Sequence, residues 1–121
     1  MRILIVDDFE EWRVYLCSFL QGCPGLELIG EAVDGLEAIE KNKQLRPDLI
    51  LIDNSMPKLN GVDTIKRLCQ TDPKAKILSI SISRSSDIAQ AAIDAGAAGY
   101  ICKLDVESKL LPAIAELFPQ K

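Results

Sequence analysis

The stretch Leu49-Ile50-Leu51-Ile52-Asp53 decides the fold of this 121-residue chain. Its four consecutive apolar residues lack the alternation of apolar and polar residues that is typical of a strand with one solvent-exposed face. Brevity and β-branched side chains favour a strand that is covered on both faces, as the strands of parallel sheets are. Similar runs occur at 3–6 and at 77–80, the latter interrupted only by Ser79. We therefore predict three central strands.

Two weaker runs complete the predicted sheet. Residues 26–29 begin with alternation and predict an edge strand, and residues 99–102 give a short fifth strand. Helical patterns lie between the runs, and this strict alternation with short connections predicts right-handed crossovers in one doubly wound layer. The expected fold class is α/β, with a five-stranded parallel sheet and five helices in a single domain over residues 1–121.

The predicted helices carry signals of their own. The first has an apolar stripe that we interpret as core and not as a cofactor site, formed by Trp12, Tyr15, Leu16, Phe19 and Leu20. Asp34 should cap the second helix, with Glu37 three residues on as in a capping box. Leu36 and Ile39 should then face the sheet. The fourth helix is rich in alanine and should end at Gly96, and its small buried area makes it a candidate mobile element.

Composition and charge exclude several classes of function. The formal net charge of -4 gives no basic footprint, so nucleic-acid binding by this segment is disfavoured. No apolar run approaches the ~20 residues of a membrane helix, and Met1-Arg2 leads directly into a strand instead of a signal peptide. We therefore expect a cytoplasmic protein. The four cysteines show no C-x-x-C spacing and histidine is absent, which predicts buried, reduced thiols without a zinc site.

Every predicted strand except the edge strand delivers a polar group at its carboxyl end, where sheets of this kind bind ligands. These groups are Asp7 and Asp8 on the first strand, Asp53 on the third, Ser81 on the fourth and Lys103 on the fifth. Each pair of carboxylates at ~4 Å would repel by about 4 kcal/mol at an effective dielectric near 20. Hard oxygen ligands without histidine or thiolate favour Mg²⁺ as the compensating ion, and Lys103 adds a cation suited to phosphate.

Four segments, taken in order, resemble the receiver domain of bacterial two-component response regulators, in particular the NarL/LuxR type. They are ILIVDD at 3–8, PDLILIDNSMPKLNG at 47–61, the serine-rich strand end at 79–83 and GAAGYICK at 96–103. Ser81 precedes Lys103 by 22 positions, and Tyr100 precedes it by three, which is similar to the family's order and spacing. The resemblance covers essentially the whole chain. It implies a flavodoxin-like sheet with strand order 2-1-3-4-5.

The resemblance implies that Asp53 is a phosphoacceptor. Asp53 would take a phosphoryl group from a phosphohistidine of a sensor histidine kinase or phosphotransfer protein, or from a small phosphodonor, and would form an acyl phosphate. Mg²⁺ would be bound directly by Asp8 and Asp53, through water by Asp7, and by the backbone carbonyl of Ser55. The domain would catalyse only its own phosphorylation and dephosphorylation.

The resemblance also implies a switch. Lys103 and the Ser81 hydroxyl would hold the remaining phosphoryl oxygens. Movement of Ser81 toward the phosphate would leave space into which Tyr100 rotates, and this would shift the face built from the fourth helix, the fifth strand and the fifth helix. That face would regulate an output domain or a downstream protein, and it would be the surface of a homodimer.

Three positions depart from the family's pattern. Ile82 stands where alanine or glycine is usual, and its branched side chain should slow phosphorylation by small donors. Leu104 stands where many members have proline, so we expect a trans peptide bond after Lys103. Asn54 replaces the commoner apolar residue after the acceptor. None of the three removes an acidic residue.

Two other classes of function stay open from the sequence. One is a degenerate receiver that acts as a constitutive protein-interaction module, which Ile82 motivates and the intact acidic residues disfavour. The other is a flavodoxin-like or phosphatase-type enzyme, since this architecture alone does not fix function. The chain has no loop of the G-x-x-x-x-G-K pattern and no catalytic Cys-Arg loop.

Overall fold

Five strands and five helices alternate along the computed structural model, which describes residues 1–54 and 60–118. The strands are β1 (Arg2–Val6), β2 (Glu27–Ala32), β3 (Leu49–Asp53), β4 (Ile77–Ser81) and β5 (Gly99–Cys102). The helices are α1 (Glu10–Gln21), α2 (Gly35–Leu45), α3 (Gly61–Thr71), α4 (Ser86–Ala95) and α5 (Val106–Leu117), the last preceded by a 3₁₀ turn at Lys103–Asp105.

All five strands pair in parallel in one sheet, in the order β2-β1-β3-β4-β5. The predicted fold class and strand order are confirmed, including the edge position of β2. In the register of the sheet Val6 pairs with Ile52, and Asp53 pairs with Ile80. The ends of β1, β3 and β4 therefore lie side by side on the carboxyl edge of the sheet.

The core has a layer on each face of the sheet, because successive side chains of a strand point to opposite faces. Leu4 and Ile50 belong to the layer that includes Ala38, Ile65 and other residues of α2, α3 and α4. Ile3 and Leu49 belong to the opposite layer, which α1 and α5 cover. None of these four strand residues is more than 1% exposed, which confirms strands covered on both faces.

The start of α2 confirms one prediction and corrects another. The Asp34 carboxylate accepts a hydrogen bond from the Glu37 amide at 2.9 Å, and the Glu37 carboxylate accepts one from the Val33 amide at 3.0 Å. The predicted capping box is present, and Ile39 packs partly buried against the core. Leu36, however, is 53% exposed, because the helix turns Gly35, Ala38 and Asn42 inward.

The stripe on α1 is core only in part. Leu16 and Leu20 are buried, and Phe19 packs against them from the edge of the layer. Tyr15 is exposed and Trp12 is only half-buried, so the prediction of a core position is wrong for Tyr15. The reason is that the first turns of α1 lie beside the carboxyl edge of the sheet, where both rings line an open cavity.

Several smaller predictions have clear outcomes. Gly96 ends α4 with a positive φ of 121°, as expected, and a Cβ there would lie 2.6 Å from the Cys69 sulfur. Of the cysteines, which are all free thiols, only Cys102 is buried, and the other three are half-buried. The described residues contain no cis peptide bond, so Leu104 follows Lys103 in trans. Among the described helices, none combines the length and apolar character needed to span a bilayer.

Candidate functional site

Three carboxylates converge at the carboxyl edge of the sheet, as the sequence predicts. Asp7 and Asp8 follow β1, Asp53 ends β3, and one carboxylate oxygen from each lies within 4.8 Å of the others. Asp7 is 1% exposed and Asp53 7%, whereas Asp8 is open to solvent. Two of the three carboxylates are therefore buried, and the Asp8 carboxylate is accessible to solvent.

Backbone amides and the Arg13 side chain hold Asp7 in place. Its amide donates to the carbonyl of Ala32 on the neighbouring strand at 3.0 Å. Its Oδ1 accepts from the amide of Phe9 at 2.8 Å, and its own carbonyl accepts from the Arg13 guanidinium at 2.8 Å. Arg13 also pairs with the Glu31 carboxylate at 3.1 Å. The Arg13 charge is thus directed to a backbone carbonyl and to Glu31 instead of to the acidic cluster.

Lys103 is the cation that faces the cluster. Its Nζ lies 2.7 Å from Oδ2 of Asp7 and 4.0 Å from Oδ1 of Asp53. The same ammonium lies over the ring of Trp12, 5.0 Å from the ring centroid. Among the described residues, Lys103 faces three carboxylates, which leaves an excess of negative charge. An all-oxygen site with that excess fits a hard divalent cation.

Ser81 and Tyr100, the two residues predicted to form the switch, are connected through the backbone of Ser83. The hydroxyl of the buried Ser81 accepts from the Ser83 amide at 3.3 Å, and the Tyr100 hydroxyl donates to the Ser83 carbonyl at 2.6 Å. The Ser81 oxygen keeps its own proton to donate. Sequence reasoning did not find Ser83 as the link, because the link is a backbone contact between a loop and a strand.

The end of β3 is fixed by contacts that the sequence did not reveal. The Asn54 amide donates to the Ile80 carbonyl at 3.3 Å, and the Asn54 side chain forms a short hydrogen bond with the Ser79 hydroxyl. The Gly61 amide donates to the Asn54 carbonyl at 3.1 Å. A Cβ on Gly61 would come within 2.3 Å of the Asp53 carbonyl oxygen, so only glycine fits there. Ser55, predicted as a ligand through its carbonyl, lies outside the described residues.

A cavity of about 530 Å³ opens beside Asp53. Asp53, Ser81 and Lys103 reach it, and most of its wall is apolar or aromatic, formed by Phe9, Trp12, Tyr15, Ile82 and Leu104. Ile82 is 71% exposed while it lines the cavity, so its side chain stands at the mouth of the cavity. A larger cavity of about 680 Å³ lies elsewhere and is lined by none of the predicted site residues.

Fold and site together define an α/β domain with an acidic cluster and a lysine at the carboxyl edge of a doubly wound sheet. The chain matches the family model of the response regulator receiver domain over residues 3–115, and it belongs to that family. Receiver domains are the phosphoacceptor signalling domains of two-component systems, so the chain is a signalling domain of that kind.

Relatives and solved structures agree with this assignment. The chain is 40% identical to the chemotaxis protein CheY of Thermotoga maritima over 113 residues, which cover 93% of each protein. A two-component response regulator of the LuxR family from Aurantimonas sp. SI85-9A1 has a TM-score of 0.91 at 30% identity, covering 96% of this chain and 83% of that one.

A third comparison shows the same fold with ligands. CheY of Borrelia burgdorferi, in a complex with CheX, BeF₃ and Mg²⁺, has a TM-score of 0.88 at 26% identity, covering 99% of this chain and 90% of that one. Other curated relatives are longer, and the chain spans about half of their length. The match therefore covers the receiver portion of such proteins.

Proposed function

We propose that Asp53 is the phosphoacceptor of this receiver domain and that Mg²⁺ binds at the acidic cluster. The observation that carries the proposal is the convergence of Asp7, Asp8 and Asp53 beside Lys103. Asp53 is buried but reaches an open cavity, so a donor can approach it from one side. We further propose that residues 1–121 act as one receiver domain.

The chemistry assigned to each residue follows from its position. A carboxylate oxygen of Asp53 attacks phosphorus, the bond from phosphorus to the donor breaks, and its electron pair leaves with the donor, giving an acyl phosphate on Asp53. The donor is a phosphohistidine of a sensor kinase or phosphotransfer protein, or a small phosphodonor. Lys103, 4.0 Å from Asp53, binds one phosphoryl oxygen, and the Ser81 hydroxyl donates to another.

The metal site is assigned to the same carboxylates. Asp8 and Asp53 would bind Mg²⁺ directly and Asp7 through water, with the Ser55 carbonyl as a further ligand. When bound, Mg²⁺ supplies neutralisation of the charge that develops on the transferred phosphoryl oxygens. The observed donor set supports this choice, because the cluster offers carboxylate oxygens and Mg²⁺ is bound by one or two carboxylates together with waters and phosphate.

The output is proposed to run through Ser83. When Ser81 turns toward the phosphoryl group, its hydrogen bond with the Ser83 amide is lost, and the Ser83 carbonyl that holds the Tyr100 hydroxyl moves with the loop. The face of α4, β5 and α5 would then change and act on an output domain, a downstream protein or a second copy of the chain. Ile88 and Ile93 on α4 supply exposed apolar surface for that contact. We propose a cytoplasmic location, where such partners act.

Intact mass spectrometry with acetyl phosphate and Mg²⁺ tests the proposal. The wild-type protein should gain the mass of one phosphoryl group, and removal of Mg²⁺ by a chelator should prevent the gain. Asp53→Asn should abolish it, because an amide cannot form the acyl phosphate. Asp87→Asn, which removes an exposed carboxylate in the first turn of α4, is the matched control and should be labelled like the wild type.

The same experiment separates this function from its main alternative. If Asp53→Asn is labelled as well as the wild type, another residue accepts the phosphoryl group and the assignment of Asp53 fails. If the wild type takes no label from acetyl phosphate or from a kinase, the constitutive interaction module becomes the better description.

A further inference from the structure

We propose that Trp12 is a positioning residue that holds the Lys103 ammonium at the acceptor site when a metal ion binds the acidic cluster. The inference rests on the proposed function, since it concerns how Lys103 is kept ready for the phosphoryl group. Sequence analysis placed Trp12 in the core, and only the structure shows its ring beside Lys103.

The starting observation is that three side chains of the described part of the chain lie near the Lys103 ammonium. It pairs with Asp7 at 2.7 Å, lies 4.0 Å from Asp53, and sits 5.0 Å from the Trp12 ring centroid. An ammonium within about 6 Å of an indole face is attracted by the ring's quadrupole, and tryptophan is the strongest of the aromatic partners. The Lys103 side chain is 17% exposed, so part of this attraction acts away from water.

Two of these neighbours respond differently to a divalent cation. A cation bound by Asp8 and Asp53, and through water by Asp7, would offset the charge of Asp7, so the attraction of Lys103 to Asp7 would fall. The indole carries no net charge, and its attraction for the ammonium stays the same. Trp12 therefore keeps Lys103 at the wall of the cavity, near Asp53, when the ion pair with Asp7 weakens.

The position of Trp12 suits such a role because its ring is supported on more than one side. Trp12 is the third residue of α1 and packs partly buried against the core layer under α1 and α5. Its ring also lies against Tyr15, with 5.3 Å between centroids and 32° between planes. Tyr15 in turn donates its hydroxyl to the Glu107 carboxylate at 2.8 Å, which ties the pair to α5.

The contact itself can be tested on the wild-type protein by NMR. Methylene protons held over an indole face experience its ring current, so the ε-protons of Lys103 should resonate upfield of those of the exposed Lys109. The difference should persist when Mg²⁺ is added, and it should vanish in Trp12→Leu. Lys103 ε-protons at the position of those of Lys109, with or without Mg²⁺, would overturn the inference without any variant.

The functional role is tested by the rate of phosphorylation at saturating small donor and saturating Mg²⁺. Trp12→Leu should lower this rate about threefold to tenfold, and Trp12→Phe should restore most of it because a ring face is retained. Phe19→Leu, the same type of change at the other end of α1, should leave the rate unchanged. The affinity for Mg²⁺, measured by calorimetry, should stay within about twofold in Trp12→Leu, since the indole acts on the lysine alone.

The outcomes distinguish this inference from the function on which it rests. A Trp12→Leu protein that is labelled at the wild-type rate overturns the positioning role and leaves the proposed function intact. A comparable loss of Mg²⁺ affinity would indicate a distorted acidic cluster and would also overturn it. A wild-type protein that takes no label overturns the proposed function and this inference together.

Discussion

Charged side chains have opposite kinds of surroundings at the two ends of the sheet. At the amino end, the Arg2 guanidinium donates to the carbonyls of Arg46 at 2.7 Å and Leu45 at 2.6 Å, and the Arg2 amide donates to the Asp48 carboxylate at 2.8 Å. Arg2 and Asp48 are thus both paired within the folded chain. At the carboxyl end, three carboxylates face each other beside Lys103.

The difference separates charges that stabilise the fold from a group of carboxylates that could hold a metal ion. Paired charges at the amino end gain from their neighbours in the folded chain without any added ion. The crowded carboxylates at the carboxyl end lose by mutual repulsion until a cation arrives. Substitutions of the same type at the two ends should therefore have different, and in one case opposite, effects.

The largest expected effect concerns two glycines, one at each end. Gly61→Ala should lower the free energy of unfolding by about 3 kcal/mol, because its Cβ would overlap the Asp53 carbonyl oxygen and the Asn54 Cα. Gly22→Ala at the amino end has its nearest atom at 3.6 Å and should change the free energy by less than about 0.5 kcal/mol. Urea unfolding measures both. Equal losses would mean that the close approach at Gly61 does not exist.

The next comparison tests whether removal of a carboxylate charge raises or lowers the free energy of unfolding. Without metal, Asp8→Asn should raise the free energy of unfolding by about 0.5 kcal/mol, because one like charge, itself exposed to solvent, leaves the cluster. Asp48→Asn should lower it by about 1 kcal/mol, because its bond with the Arg2 amide weakens. Urea unfolding in a chelating buffer measures both values, and a loss of stability in Asp8→Asn would contradict the proposed repulsion.

Addition of Mg²⁺ gives a further comparison of Asp8→Asn with Asp48→Asn. At a concentration of Mg²⁺ about 100 times its dissociation constant, the wild type and Asp48→Asn should both gain about 2.7 kcal/mol of stability. Asp8→Asn should gain much less, since it lacks a proposed ligand. An equal gain in all three proteins would place the metal elsewhere.

A smaller effect is expected on the rate of phosphorylation. Ile82→Ala should be phosphorylated by acetyl phosphate a few times faster than the wild type, because the branched side chain at the mouth of the cavity is removed. Leu111→Ala, in the larger cavity, is the control and should react at the wild-type rate. Identical rates for Ile82→Ala and the wild type would show that Ile82 does not restrict the donor.

The smallest effect is a dependence on pH from a paired charge at the carboxyl end. The Arg84 guanidinium bonds both oxygens of Asp105, at 2.7 and 3.1 Å, and this lowers the pKa of the Asp105 carboxyl. The pair therefore contributes stability above the ordinary carboxyl pKa of about 3.9, and the contribution is lost as the pH falls through the lower pKa of the folded protein. Melting temperatures on acidification should fall slightly less in Asp105→Asn. A steeper fall in the variant would contradict this.

The sheet and the acidic cluster could be predicted from sequence for physical reasons. A strand buried on both faces needs an uninterrupted apolar run, as at 49–52, and parallel strands bring their carboxyl ends to one edge. Asp7, Asp53 and Lys103 follow from that topology together with their positions after the runs. The spacing of the residues along the chain is therefore enough to predict the sheet and the acidic cluster.

Other features depend on contacts that spacing does not contain. Helical periodicity places Trp12 and Leu16 on one stripe, but it does not say that only the second lies over the sheet. Leu36 is exposed because the cap at Asp34 sets which residues of α2 turn inward. The Ser83 link and the Arg84–Asp105 pair join segments that are distant in sequence and that only the folded sheet brings together.

The bond between Asn54 and Ser79 has a mechanical consequence. Together with the backbone bond from Asn54 to Ile80, it joins the end of β3 to β4 next to Asp53. In the proposed switch, a displacement of Ser81 would therefore move the residues that follow β4 more than it would separate the two strands. The segment from Ile82 to Ser85 would then turn about the end of β4, and its Ser83 carbonyl would displace the Tyr100 hydroxyl that is bonded to it.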